Sequence, residues 1–353
     1  MVMTIGIDVH KMTHCAVAVD EAGRQVGSAV TVRATDAGHR QLLRWARREF
    51  TEESVEFAVE DCRHVSSRLE RALLDAAAVV VRVPPKLMAQ TRTSARTRGK
   101  SDPIDALAIG RAALREPGLA RAEHTHASRE LKLLVDRRED LVEIRTKAQN
   151  RLRWHLHELD PDIDPIARGL NRTKELDRVH ARLQALPASL VRRLALEILT
   201  DIRELTVRVN ALEREITGLV SAQAPQLLDL PGCGPLTAAK LVGETANPTR
   251  FRSEACFAMH AGAAPIPASS GKTNRHRLAR GGNRQLNAAL HRIAVTQIRL
   301  DGCLGRAYYQ RRRSEGDSSM EALRALKRRL ARIVFNLLRP TDQPAAACLP
   351  QAA

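Results

Sequence analysis

The sequence predicts an α/β first third followed by a helical, basic remainder, and three observations predict it. Up to Pro85, short apolar runs rich in valine alternate with stretches of helical period. Beyond residue 102, apolar residues recur at steps of three and four, the period of helices. The 57 Lys and Arg outnumber the 40 Asp and Glu, for a net charge of +17.

The elements follow in order. "VMTIGIDV" (2–9), "HCAVAVD" (14–20) and "QVGSAVTV" (25–32) read as three consecutive strands, the last two joined by an "EAGR" turn at Gly23. A helix over about 36–50 turns Leu42, Leu43 and Trp45 inward. "VEFAVED" (55–61) is strand four, and 64–77 is a helix with Leu69, Leu73 and Leu74 on one side. "AVVVRVPP" is strand five, ended by Pro84 and Pro85. A basic loop (91–101) carries Arg92, Arg96, Arg98 and Lys100, with no acid. A helix then begins at Asp102, a good N-cap, with Pro103 suited to the first turn. The order β-β-β-α-β-α-β fits a mixed sheet flanked by helices, a domain of residues 1–125.

Residues 126–222 read as a coiled-coil and oligomerisation region. Its seam is Ile198, Ile202, Leu205, Val209, Leu212, Ile216 and Leu219, and its two long helices form an antiparallel hairpin joined by 160–187. Residues 223–339 form a mainly helical C-terminal domain. It opens on "LLDLPGCGPLTAAKLVGE", a helix-hairpin-helix-like motif, and ends on a helix around 319–338 with Leu323, Leu326, Leu330 and Ile333 inward. No acid occurs from Ala255 to Leu300, where Lys272, Arg275, Arg277, Arg280 and Arg284 fall. The tail 340–353 is expected to be disordered.

Composition excludes several classes. No run approaches the roughly 18 apolar residues of a membrane span, and "MVMTIGID" meets a charge too early for a secretory signal. The six cysteines are scattered without a CxxC pair, which argues against zinc and disulfide scaffolds and for a reducing, cytoplasmic setting. The basic excess points to nucleic acid as partner, and the 3% aromatic content to phosphate contacts rather than base stacking.

Against that background the acids stand out. A strand disfavours Asp, and a buried charge needs a partner or a metal. Asp8 lies near the end of strand one and Glu60 near the end of strand four, while Asp102 and Asp105 share a helix face. Strands one and four can be neighbours, so the four carboxylates would converge as a site for two Mg²⁺ or Mn²⁺ ions acting on a phosphodiester. Taken singly, Asp102 reads as a helix cap and Glu60 as a strand end, with Asp61 its equal. Asp8 resists such a reading. An actin-like ATPase also begins with a strand and Gly-Ile-Asp, but it needs a phosphate-binding turn where "HKMTH" stands.

"GIDVHK", "VED", "SDPIDA", "LPGCGPLTAAKLVGE" and "AGAAPIPASSGKTNRHRLARGGNRQLNAAL" together resemble the DEDD insertion-sequence transposases related to the Piv invertases. That is the family numbered one hundred and ten, of bridge-RNA-guided recombinases. The resemblance implies an RNase H-like (RuvC-like) N-terminal domain with Asp8, Glu60, Asp102 and Asp105 as its metal-binding tetrad. It further implies a serine nucleophile. The residues alone leave Ser269 and Ser270 as hydrogen-bond donors of a phosphate-binding turn, whereas the family's serine precedes a glycine, which chooses Ser270 before Gly271. The implied function is transposition by DNA cleavage and exchange, guided by a structured non-coding RNA. The implied assembly is a dimer or tetramer in the bacterial cytoplasm at the nucleoid. Arg92, Arg96, Arg98, Lys100, Lys272, Arg275, Arg277, Arg280 and Arg284 are the expected phosphate contacts. The rival is a RuvC-like, metal-dependent Holliday-junction nuclease without covalent serine chemistry.

Overall fold

The computed structural model describes residues 2–339 apart from 52, 62, 94–100, 117, 120, 124–125, 269–275, 278 and 280. The chain opens with β1 (Val2–Val9), β2 (Thr13–Val19) and β3 (Gln25–Arg33), followed by α1 (Asp36–Glu49), β4 (Ser54–Glu60), α2 (Arg63–Asp75) and β5 (Val79–Val83). Next come α3 (Pro85–Thr93) and α4 (Asp102–Arg115). The sheet order is β3-β2-β1-β4-β5. The first three strands form an antiparallel meander, and β4 and β5 add in parallel to β1. Strands one and four are therefore neighbours, as expected.

Central strands covered on both faces read as continuous apolar runs, and β1 is buried from Met3 to Val9. One face packs Ile5, Ile7, Phe57 and Val59 against Leu42 of α1 and Leu69 and Leu73 of α2, with Leu43, Trp45 and Leu74 half-buried beside them. The other face, with Cys15, Val17, Val19, Ala58 and Val83, meets Ala106, Ile109 and Ala112 of α4. The fit of α4 depends on glycine. A Cβ at Gly6 would run into the Ala106 carbonyl and the Gly110 backbone, so the helix lies directly on β1.

Two local expectations are corrected. Residues 85–93, expected to lead from a strand end into a loop, form α3. Pro85 opens that helix, and Leu87 and Met88 pack on the α4 cluster, so tertiary contact holds a segment with little helical pattern of its own. The cap of α4 is Ser101, in extended conformation, and Asp102 is the first helical residue. Its carboxylate is thereby released from capping.

Beneath α1, His14 and His39 are both 1% exposed. Their Nε2 atoms lie 3.2 Å apart and their rings stack at 5.3 Å. One ring donates and the other accepts, which requires that at least one be neutral. Burial, reinforced by the facing His39, pulls His14 down to about 4. Burial also lowers His39, with Arg68 adding to the effect and Asp36 opposing it.

Residues His126–Glu244 make a separate compact unit. It contains α5 (His126–Leu159), α6 (Thr173–Ala185), α7 (Leu190–Gln223) and most of α8 (Pro235–Thr245), with 3-10 turns at Gly169–Asn171 and Pro225–Leu227. Helices α5 and α7 run antiparallel. Arg138 Nη2 donates to Glu213 Oε1 at 2.5 Å, and further along Arg145 Nη1 donates to Thr206 Oγ1 at 3.3 Å. The connection 160–187 is built around α6, whose Leu176, Val179 and Leu183 pack with Leu152, Leu156, Ala195 and Leu199. The expected seam is met at Ile202, Val209 and Ile216, and between them the buried position shifts to a neighbouring residue. Ala195, Leu199, Ile202, Thr206, Val209, Ile216 and Val220 are buried, while Ile198, Leu205, Leu212 and Leu219 flank them half-buried.

The C-terminal residues from Thr245 return to the compact unit of the first 125. They form α9 (Glu254–His260), the short pair β6 (Ile266–Pro267) and β7 (His276–Arg277), α10 (Arg284–Arg299), α11 (Leu304–Ser314) and α12 (Ser319–Leu338). Buried Arg250 donates from Nε to the Thr245 carbonyl and from Nη1 to the Arg121 carbonyl, at 2.9 and 3.0 Å. A capping box of Ser318 and Glu321 starts α12, which buries Leu323, Leu326 and Leu330, with Ile333 half-buried. The tail 340–353 lies outside the described residues.

Two outcomes are expected. Gly6→Ala should cost about 1–3 kcal/mol in urea unfolding, because the helix–sheet contact must open. The histidine pair sets a pH window. Both folded pKa values lie below the unfolded value of about 6.5, so the unfolded chain gains protons first as pH falls. The stability that the neutral pair permits is complete above that pH and drains toward pH 4, where His14 titrates. The urea midpoint should therefore fall more steeply across this window in wild type than in a His14→Gln/His39→Gln double variant. Parallel curves would exclude the pair as the cause.

Candidate active site

The carboxylates are gathered by the α4 face of the sheet. Even-numbered residues of β1 turn toward α4, as Gly6 does, and Asp8 follows Gly6 by two. Asp8 is 5% exposed. The β1–β4 register pairs Gly6 with Ala58 and Ile7 with Val59, so the same offset sets Glu60 level with Asp8. Ala58 also faces α4, and Glu60, two residues on and half-buried, shares that side at the strand end. From above, the first turn of α4 brings Asp102, exposed, and Asp105, buried. The positive end of the helix dipole favours anions there.

His10 was overlooked in the sequence. Its Nε2 donates to Asp8 Oδ2 at 3.0 Å and lies 3.4 Å from Asp102 Oδ1. One ligand atom from each of Asp8, His10 and Asp102 fits within 4.8 Å. The available signal was its spacing, two residues beyond Asp8 in "GIDVHK".

Electrostatics agree with the distances. Burial pushes the Asp8 carboxyl above the usual carboxylate range, His10 pulls it back, and the charges of Asp105 and Asp102 push it up again. A carboxylate so placed gains most from a cation. Hard oxygen donors suit Mg²⁺ or Mn²⁺, and the imidazole is compatible with Mn²⁺. The donor set therefore fits a divalent ion. Cys15, opposite Asp8 in the ladder, is held as a thiol by burial, with the charges of Asp102 and Asp8 adding to the effect. It is not a candidate ligand.

The expected nucleic-acid contacts divide. Arg277 in β7 and Arg284 at the start of α10 are exposed. The side chain of Arg92 and all of Arg96, Arg98, Lys100, Ser269, Ser270, Lys272, Arg275 and Arg280 lie outside the described residues. The described flanks of the serine stretch pair as a hairpin, Ile266 with Arg277 and Pro267 with His276.

Comparison with known proteins supplies a family. Residues 5–161 match the family model of the DEDD transposases of the IS110 type. Residues 224–310 match the model of the transposase IS116/IS110/IS902 family. The chain is 27% identical to an uncharacterized 44.8 kDa protein of insertion element IS116 from Streptomyces clavuligerus, over 95% of this chain and 94% of that one. It is 37% identical to an uncharacterized 43.6 kDa protein of insertion element IS110 from Streptomyces coelicolor, over 37% of this chain and 33% of that one. A solved structure of T. thermophilus RuvC in complex with Holliday junction substrate aligns at 14% identity, 35% of this chain, all of that chain and a TM-score of 0.27. That score is too low to bear on the fold, which stands on the sheet order.

Proposed function

This chain belongs to the IS110 family of insertion-sequence transposases, enzymes acting on DNA, and from that premise we propose that Asp8, Glu60, Asp102 and Asp105 form its metal-binding tetrad. The observation that carries the reading is the convergence of Asp8, Asp102 and Asp105, with Glu60 level on the adjoining strand. The sheet order, with one reversed strand, β2, among four that run the same way, supports an RNase H-like first domain. A divalent cation, Mg²⁺ or Mn²⁺, bound there would supply positive charge against the scissile phosphate and its departing oxygen. Asp8, buried beneath α4, and Asp105, buried in the first turn of α4, would be the fixed ligands, and exposed Asp102 and half-buried Glu60 would complete the set from the rim. His10 orients Asp8 through their hydrogen bond.

Ser270 is the proposed nucleophile. Its Oγ bonds to phosphorus, one phosphate ester bond breaks, and the departing sugar oxygen takes up the proton the serine gives up. The second transfer reverses this onto another strand's hydroxyl, so no ATP is required. A guide RNA would supply sequence choice by pairing, in keeping with a chain poor in aromatics and rich in charge. Arg92, Arg96, Arg98, Lys100, Lys272, Arg275, Arg277, Arg280 and Arg284 would hold phosphates. The α5–α7 hairpin would join copies into a dimer or tetramer. Among the described residues no helix is long and apolar enough to cross a membrane, and the enzyme would act in the cytoplasm, at the nucleoid.

Two experiments test this. On cognate ends, wild type should form a protein–DNA adduct that survives denaturing electrophoresis, and Ser270→Ala should form none. Metal-dependent cleavage without any adduct would favour the junction-nuclease reading. Separately, Mn²⁺ should raise the melting temperature of the wild type in proportion to its occupancy. Asp8→Asn should lose most of that rise and all strand exchange while still binding DNA. An undiminished metal response in Asp8→Asn would remove Asp8 from the centre.

A further inference from the structure

A cavity of about 530 Å³ lies in the C-terminal part of the chain between α12, β7 and the turn after α9. Gly262, Ala263 and Ala264 line one side, and Arg277 lines another. Arg324, Lys327 and Arg328 enter from one face of α12, at the spacing of successive turns.

Lys327 is the anomaly. It is 7% exposed. Its Nζ donates to Asn287 Oδ1 at 2.6 Å, and among the described residues it has no carboxylate partner. Asn287 is itself fixed, since its Nδ2 donates to the Ala261 and Gly262 carbonyls at 3.0 and 2.9 Å. A neutral amide oxygen thus accepts one ammonium proton, and two more are left to point at a ligand. Burial lowers the Lys327 pKa, and the like charge of Arg324 lowers it further. Arg328 adds a second unmet donor. Its Nη2 bonds Glu254 at 3.1 Å, while its buried Nη1 has no acceptor. The two acids of the wall are already engaged. Asp317 accepts from Arg312 at 2.8 Å, and Glu321 closes the capping box with Ser318.

An ammonium buried without a counter-charge is costly, and a cavity that presents it beside arginines is complete only with an anion. We propose that this cavity binds a backbone phosphate of nucleic acid, with Lys327 as its anchor and Arg277, Arg324 and Arg328 around it. The inference rests on the reading of the chain as a DNA-processing enzyme. It adds a site to that reading, reached through β7, the strand that follows the serine stretch in the chain. A phosphodiester suits the donors because its charged oxygens accept several hydrogen bonds at once. The volume lies in the range of small-ligand sites, room for the adjoining sugar as well.

The test is binding of fluorescein-labelled single-stranded DNA, duplex DNA and RNA to the full chain, without metal, across a salt series. Lys327→Met removes the charge and keeps the aliphatic stem. It should melt at or above the wild-type temperature, because the uncompensated ammonium is gone. Its affinity should fall about tenfold, and the slope of log K against log salt should shrink by about one. Loss on DNA alone or on RNA alone supports the site and names its source. Unchanged affinity and slope on all three overturn it, as does a wild-type melting rise with inorganic phosphate that vanishes in Lys327→Met without any loss on nucleic acid. If Lys327→Met does not fold, Arg324→Gln gives the same readout from the half-buried wall. Strand exchange by Asp8→Ala is measured alongside. Its loss beside an unaffected Lys327→Met would remove the cavity and leave the enzyme standing.

Discussion

Everything at the candidate active site depends on how closely α4 lies on β1. Two glycines allow it, Gly6 on the strand and Gly110 on the helix, each occupying space a side chain would fill. Helix and strand backbones come almost into contact at that crossing. The first turn of the helix then overhangs the end of the strand, and Asp102 and Asp105 arrive beside Asp8. Were the helix held off by one methyl layer, the acids would still exist but would face separate patches of water. Alanines at 106, 112 and 113 continue the same logic, since they fill the interface without thickening it.

Bringing acids together in this way works against folding. Burial first, and then the like charges of Asp105 and Asp102, raise the Asp8 pKa, which means that ionised Asp8 is a destabilising element in the metal-free chain. His10 relieves part of that, half-exposed and within bonding range of both Asp8 and Asp102. The helix N-terminus relieves some more. The shift of the cap to Ser101 matters for the same reason. An Asp102 used as cap would have its carboxylate tied to the helix amides, whereas as first helical residue it can swing toward the centre. Local structure and site chemistry therefore pull in one direction at this turn.

The sheet and the acids were legible in the sequence because both are breaks in a pattern. A strand buried on both faces tolerates few polar residues, so Asp8 in "IGIDV" stands out. The β-β-β-α-β order leaves strand one beside strand four, and Glu60 follows. What was not legible depends on contacts that no local pattern encodes. His10 looks like any exposed histidine until its neighbours from α4 are in place. The segment 85–93 becomes helical because Leu87 and Met88 find α4. The seam of α7 was read from its leucines and isoleucines, yet small Ala195 and polar Thr206 are buried and Leu205 is only half so. Close approach of α5 selects small residues there, and Arg145 gives Thr206 a partner. Lys327 is hidden among the arginines of its helix, and its burial is a product of tertiary packing alone.

Chain topology explains why distant stretches answer to one fold. The helical residues 126–244 form a unit of their own, and the residues on either side of it belong to a single unit. The join is specific. Arg250 spans the carbonyls of Thr245 and Arg121, and Asn247 donates to Glu123 at 2.5 Å. The bonds to Arg121 and Glu123 are made between residues more than a hundred positions apart. A buried guanidinium that satisfies backbone carbonyls from both segments, with its charge resting over the Phe251 ring at 4.4 Å, leaves little freedom at the crossing point. The basic C-terminal helices stay tied to the sheet that carries them.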